Sequence, residues 1–156
     1  MASSTKVVVN APVKFLWDAI VDIEKYPEFQ KDIKKVEVKK VEGGKRIIYH
    51  EIEIIKRVFY ILEYNEEIPL KKFTWKLVDC SMVKLPLIKE FKVMEKNDGF
   101  WELNELAPDK CEGIYNIDIK LASKIPGNIT DMLTRKSLPG MMNSFKNRAE
   151  MLAGKK

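Results

Sequence analysis

The chain is short of the residues that build metal centres and covalent frameworks: its 156 residues include one histidine, His50, and two cysteines, Cys80 and Cys111. A single imidazole excludes a multi-histidine centre, and neither an H-E-x-x-H motif nor a calcium loop occurs. The cysteines stand far apart without C-x-x-C spacing, which excludes a zinc ribbon or a disulfide framework, so both read as free thiols. No metal and no cofactor is expected. No apolar run approaches the ~20 residues that cross a bilayer, and the opening Met1-Ala2-Ser3-Ser4-Thr5-Lys6 lacks the apolar centre of a secretion signal. The expected location is the cytoplasm. Glycine and proline are scattered, with no low-complexity linker and no internal repeat, so one domain over residues 1–156 is expected.

Catalytic signatures are equally scarce. Ser137, His50 and an acid can be named together, but no nucleophile elbow and no Gly-rich phosphate loop accompanies them. Glu51 and Glu53 share a strand face suited to water, and Glu66-Glu67 fall in a turn, so solvation is their expected role. Asn128-Ile129-Thr130 fits a glycosylation sequon, which has no meaning in the cytoplasm.

What is present is an ordinary globular composition, 46% hydrophobic and 33% charged, with a net charge of +5. Lysines are dense from Lys31 to Lys40 and near the C-terminus. Such a distribution reads as a solvated face, with room for weak contact with anionic membranes or RNA but no specific nucleic-acid site.

Hydrophobic period divides the chain into three parts. Thr5 to Asn10 alternates around Val7 and Val9 and reads as a strand ending at a capping asparagine. Ala11-Pro12 opens a helix whose stripe is Val13, Leu16, Trp17, Ile20 and Val21. Asp22 can cap a second, brief helix interrupted by Pro27. The period then becomes two. Val36 and Val38 mark one strand and Gly43-Gly44 a turn, and Ile48, His50, Ile52 and Ile54 share a face of the next strand. Val58, Tyr60, Leu62 and Tyr64 share a face of a third, and Phe73, Trp75 and Leu77 of a fourth. Ser81 to Glu95, interrupted by Pro86, reads as a loop leading into a strand. Gly99 is either a hairpin residue or a bulge inside one longer strand. Trp101 and Leu103 then share a face, Ala107 to Lys110 turns, and Tyr115, Ile117, Ile119 and Leu121 alternate. From Ile129 the period returns to 3.6 through Met132 and Leu133, and Met142, Phe145, Ala149 and Leu152 continue the stripe. Pro139 removes a backbone donor, so a kink or break is expected there.

This order resembles the START-like, helix-grip superfamily, which includes polyketide cyclase/dehydrase and coenzyme Q-binding (Coq10-like) domains. The resemblance rests on Val9-Asn10-Ala11-Pro12 through Trp17-Asp18 to Asp22-Ile23-Glu24-Lys25-Tyr26-Pro27-Glu28-Phe29, on Asn97-Asp98-Gly99-Phe100-Trp101-Glu102-Leu103, and on Leu138-Pro139 followed by Phe145-Lys146-Asn147-Arg148-Ala149-Glu150. It covers almost the whole chain, in order. Gln30-Lys31-Asp32 stands where relatives carry an apolar-proline pair, so the entrance loop should differ. The resemblance implies an α+β fold in which a curved antiparallel sheet wraps around a long C-terminal helix, with two short helices after the first strand. It also favours a bulge at Gly99 and a cavity between sheet and helix.

Such a cavity assigns candidate ligand contacts. His50 is a polar anchor or acid/base group in an apolar surrounding, or a core histidine satisfied by a hydrogen bond. Ile52, Leu62 and Ile117 supply apolar wall. Tyr60, Tyr64, Trp75, Trp101 and Tyr115 line the cavity, where O–H and N–H groups orient a ligand, or they fill the core. Met132, Met141, Met142 and Phe145 belong to the helix that covers it, where methionine adapts to ligand shape or fills gaps. The expected function is binding or transport of a hydrophobic small molecule or lipid, quinone-like or polyketide-like. A cyclase or dehydrase using His50 and a tyrosine, and a ribosome-associated protein using its basic surface, are the alternatives.

Overall fold

The computed structural model describes residues 2–53, 57–82, 94–121, 131 and 138–154. Alternation of large apolar and polar side chains produces seven strands: β1 (Ala2–Val9), β2 (Ile33–Glu42), β3 (Lys45–Glu53), β4 (Arg57–Ile68), β5 (Lys72–Met82), β6 (Met94–Ala107) and β7 (Lys110–Leu121). They form one antiparallel sheet in the order β1-β7-β6-β5-β4-β3-β2. Between β1 and β2 lie helix α1 (Val13–Val21) and a 3-10 turn (Ile23–Glu28). Helix α2 (Leu138–Leu152) closes the chain and packs against α1 and β1.

Inward residues of each strand carry the core. Ile48, His50 and Ile52 of β3, Leu62 and Tyr64 of β4, Phe73 and Trp75 of β5, Trp101 and Leu103 of β6, and Tyr115 and Ile119 of β7 are buried. Leu16, Trp17 and Ile20 of α1 meet them at one end of the sheet, with the Trp17 ring edge-on to Phe73. Removing either ring would cost about 3–5 kcal/mol through lost transfer energy and an unfilled void. At the β2–β3 turn Gly43 and Gly44 have φ of 56° and 81°, a region that glycine enters without a Cβ clash.

Several local expectations are corrected. β1 starts at Ala2 because Ala2, Ser3 and Ser4 find partners in Asp118, Ile117 and Asn116 of β7. Asn10 does not cap α1: Pro12 holds the cap position, and the Asn10 backbone N–H donates to Glu150 Oε2 at 2.9 Å. Asp22 holds the cap position of the 3-10 turn through its backbone carbonyl, without a side-chain bond. Gly99 lies within one long strand, yet the register shifts of β6 against β7 fall at Met94/Lys96 and Glu105/Ala107, so it is not the bulge. Its role is close approach, since a Cβ there would stand 2.3 Å from the Asn116 carbonyl oxygen and 2.5 Å from the Trp75 ring. Leu152 is 39% exposed and ends outside the apolar stripe. Pro139 is the second described residue of α2, and residues 132–137, on which a kink or break would show, lie outside the described residues. Ile54, Met132, Leu133 and most of the Ser81 to Glu95 segment fall outside the described residues.

Among the described residues, β5 and β6 pair from Lys72 to Trp75. Two side chains of β6 also join the strands: Asp98 Oδ1 accepts the Leu77 N–H at 3.4 Å, and Asn97 Oδ1 accepts the Trp75 indole N–H at 3.2 Å.

Candidate functional site

Between the inward face of the sheet and α2 lies a cavity of about 160 Å³. Strand alternation directs Ile52 and His50 from β3, Tyr60, Leu62 and Tyr64 from β4, Phe73 and Trp75 from β5, Asn97 and Trp101 from β6, and Tyr115, Ile117 and Ile119 from β7 into its wall. Leu138, Met141 and Phe145 of α2, spaced three and four apart, cover it. Tyr26 of the 3-10 turn, Gln30 and Asp32 of the segment after it, and Ile33 at the start of β2 complete the wall.

The structure thus brings together His50, Ile52, Tyr60, Leu62, Tyr64, Trp75, Trp101, Tyr115, Ile117, Met141 and Phe145. Met142 is excluded. One residue further along the helix turns its side chain about 100° away, and Met142 is buried in the core beside the stripe of Phe145 and Ala149. Met132 falls outside the described residues. Sequence reading missed Phe73 and Ile119, although both share faces already recognised. It also missed Tyr26, Gln30, Asp32, Ile33, Asn97 and Leu138. The departure at Gln30-Lys31-Asp32 was the one signal for that region, and it marked residues that reach the cavity.

Flat rings dominate the wall. His50 stacks on Tyr60 with centroids 4.7 Å apart and planes 9° apart, and Trp75 stacks on Tyr115 at 5.3 Å. Trp101 stands edge-on to both Tyr115 and Phe145.

The polar groups have defined roles. His50 is 1% exposed, its Nδ1 lies 3.2 Å from the Ile48 carbonyl oxygen, and its Nε2 lies 2.8 Å from the Tyr64 hydroxyl. Burial pushes the His50 pKa down to about 3, against a smaller upward pull from the carbonyls of Ile48 and Tyr60. The ring is therefore neutral at physiological pH. Burial likewise raises the phenols of Tyr26, Tyr60, Tyr64 and Tyr115, so all remain protonated donors, and neighbouring phenols reinforce the shift for Tyr26, Tyr64 and Tyr115. Tyr26 donates to the Ile20 carbonyl. Tyr60 and Tyr115 line the cavity with protonated hydroxyls. Gln30 Nε2 donates to the Met141 carbonyl at 3.4 Å, joining the segment before β2 to the first turns of α2 at the cavity's edge.

Asp32 is the one charged side chain in the described lining. No group of three or more metal-binding side chains occurs among the described residues. Cys111 is a buried free thiol whose pKa is pushed up to about 11, chiefly by burial, which makes it a poor nucleophile. No described helix is long and apolar enough to cross a membrane.

Comparison with known proteins places this geometry. A START superfamily protein from Mycobacterium smegmatis superposes with a TM-score of 0.80 at 18% identity, over 97% of this chain and 98% of that one. The Zhui aromatase/cyclase from Streptomyces superposes with a TM-score of 0.77 at 14% identity, over 96% and 93%. The di-domain aromatase/cyclase StfQ from the steffimycin biosynthetic pathway gives 0.69 at 14% identity, over 96% of this chain and 45% of that one. At these identities the likeness establishes the helix-grip fold. No curated protein sequence matches the chain. The sequence pattern of one family, polyketide cyclase / dehydrase and lipid transport, matches residues 9–146, from the end of β1 into α2, and the chain belongs to that family.

Proposed function

We propose that this protein binds an uncharged, flat and largely apolar small molecule between the sheet and α2, as a carrier or sequestering module. The observation that carries this reading is the composition of the cavity wall: stacked rings and aliphatic side chains with a few neutral hydrogen-bonding groups, one carboxylate (Asp32) and no described cation. Apolar burial would contribute about 25 cal/mol per Å² removed from water, and the phenols would select and orient the ligand's oxygens. A fatty-acid carboxylate would find no cation in the described wall, since the Arg46 guanidinium lies behind it over the Phe73 ring, which favours a neutral quinone-like or polyketide-like molecule.

Native mass spectrometry of the purified protein, before and after gentle extraction, tests the reading. A retained neutral aromatic or polycyclic molecule is expected. An anionic lipid bound at unit stoichiometry would overturn the choice of ligand class, and failure to bind any apolar probe would overturn the function.

A cyclase reading has specific support in the His50–Tyr64 contact and in two structural neighbours that are aromatase/cyclases. It requires a base at neutral pH, and a ring whose pKa is held near 3 is a weak one. Binding without turnover is therefore preferred. Water loss or cyclisation of a poly-β-keto thioester, followed by mass and abolished in His50→Phe, would reverse that preference.

The basic surface gives less support to an RNA-binding role. In the densest stretch Lys35 and Lys39 pair with Glu37, and Lys40 pairs with Glu42 at 2.8 Å, so much of the local charge is neutralised within β2.

A further inference from the structure

Resting on the binding function proposed above, a sharper statement about the ligand follows from the contact between His50 and Tyr64 in the cavity. The Ile48 carbonyl can only accept a hydrogen bond, so the His50 Nδ1 facing it at 3.2 Å must carry the proton. In a neutral ring Nε2 is then a lone pair. The Tyr64 hydroxyl, 2.8 Å away, must be the donor. Its proton is committed to His50, and what remains of Tyr64 for the cavity is oxygen lone pairs. Tyr60 and Tyr115 line the same cavity as protonated phenols whose O–H can turn toward a ligand oxygen.

We infer that His50 is a positioning residue that sets the hydrogen-bond polarity of the cavity, so that Tyr64 accepts from the ligand while Tyr60 and Tyr115 donate to it. The ligand that satisfies all three is a neutral aromatic or polycyclic hydroxy-ketone, with its hydroxyl at Tyr64 and its carbonyl oxygen toward Tyr60 and Tyr115. A plain quinone, which has only acceptors, would leave the Tyr64 oxygen facing a ligand oxygen. A neutral ring locked by two bonds and by stacking on Tyr60 keeps this polarity without reorganisation when the ligand enters.

Because the chain has one histidine, its ring nitrogens can be assigned without ambiguity by nitrogen NMR of the uniformly labelled, unmodified protein. At pH 7 the Nδ1-protonated neutral tautomer is expected. The Nε2-protonated tautomer, or an imidazolium, would overturn the inference. The second measurement compares two small neutral probes by fluorescence of the cavity tryptophans: 4-ethylphenol, which can donate, and acetophenone, which can only accept. In His50→Phe the Tyr64 proton is released, and the ratio of the two dissociation constants should move toward acetophenone by ~10-fold, the scale of one hydrogen bond gained or lost. A merely structural role for His50 would weaken both probes equally, and an unchanged ratio in a folded variant would overturn the inference while leaving the binding function standing. If the unmodified protein binds neither probe, the binding function falls and the inference with it. The tautomer measurement keeps the proposal testable should His50→Phe fail to fold.

Discussion

His50 shows how a residue can be found in a sequence without its role being legible there. A histidine among isoleucines at period two marks an inward polar group, but its bonds depend on Tyr64, which reaches it from the neighbouring strand. The same burial makes a prediction about stability. The folded pKa of about 3 lies below the unfolded value near 6.5, so between these values the unfolded chain takes up a proton that the folded chain refuses. The stabilising contribution is complete above pH ~6.5 and falls as pH drops through that window. From pH 7 to pH 5 the loss should be roughly 2 kcal/mol, read from urea midpoints. His50→Phe should show little of it, because carboxylates titrate mostly below pH 5. Equal losses in both proteins would place the effect elsewhere. Gly99 was legible as an exception within a strand but not as a contact. Gly99→Ala should destabilise by about 1–3 kcal/mol, since neither the Asn116 carbonyl nor the Trp75 ring can withdraw freely. A neutral result in the same urea titration would mean that the Trp75 ring moves without cost.

The strands and α1 could be read in advance because their periods are enforced by one buried face each. Inward alternation places Ile48, Leu62, Phe73 and Trp101 correctly, but it cannot separate core from cavity wall. Ile48 and Ile52 lie on one face of β3, yet Ile52 lines the cavity and Ile48 does not. That distinction is set by where α2 and the 3-10 turn cross the sheet. The turn was legible as a proline-broken helix, whereas its delivery of Tyr26, and of Gln30 just beyond it, to the cavity depends on the return of the chain toward β2. Pro139 was read as a point where the helix kinks or breaks, and the residues before Leu138 that would decide between these lie outside the described residues. The Gln30 side chain links the described start of α2 to the opposite lip of the cavity. If this contact holds the lips together, Gln30→Ala should speed amide exchange in Met141 to Phe145 by up to ~5-fold, about 1 kcal/mol of local opening, while α1 keeps its rates. Uniform acceleration across both helices would indicate general destabilisation rather than release of α2.

At the scale of the molecule the cavity between the sheet and α2 is a local departure from close packing that a ligand would fill. A void of about 160 Å³, at ~24 cal/mol per Å³, represents about 4 kcal/mol of forgone stability, a large part of the 5–15 kcal/mol typical of a whole domain. It is also close to engineered cavities of ~150 Å³ that admit one benzene ring, and below the ~300–1,000 Å³ usual for ligand pockets. A multi-ring ligand must therefore enlarge it, most simply by separating α2 from the 3-10 turn. Core filling and ligand binding should then oppose each other. Ile52→Phe extends an aromatic ring into the wall on the β3 side, next to Ile33, and uses space that a ligand would otherwise enter. We expect its urea midpoint to correspond to a stability gain of up to ~1–2 kcal/mol, within the range of cavity-filling changes. Its affinity for 4-ethylphenol should fall by at least ~10-fold, because the probe must now displace a side chain as well as enter. Gain in stability with loss of binding would identify the space as maintained for a ligand at the expense of packing. Loss of stability together with unchanged probe affinity would show that the ring does not enter the cavity and that the probe binds elsewhere.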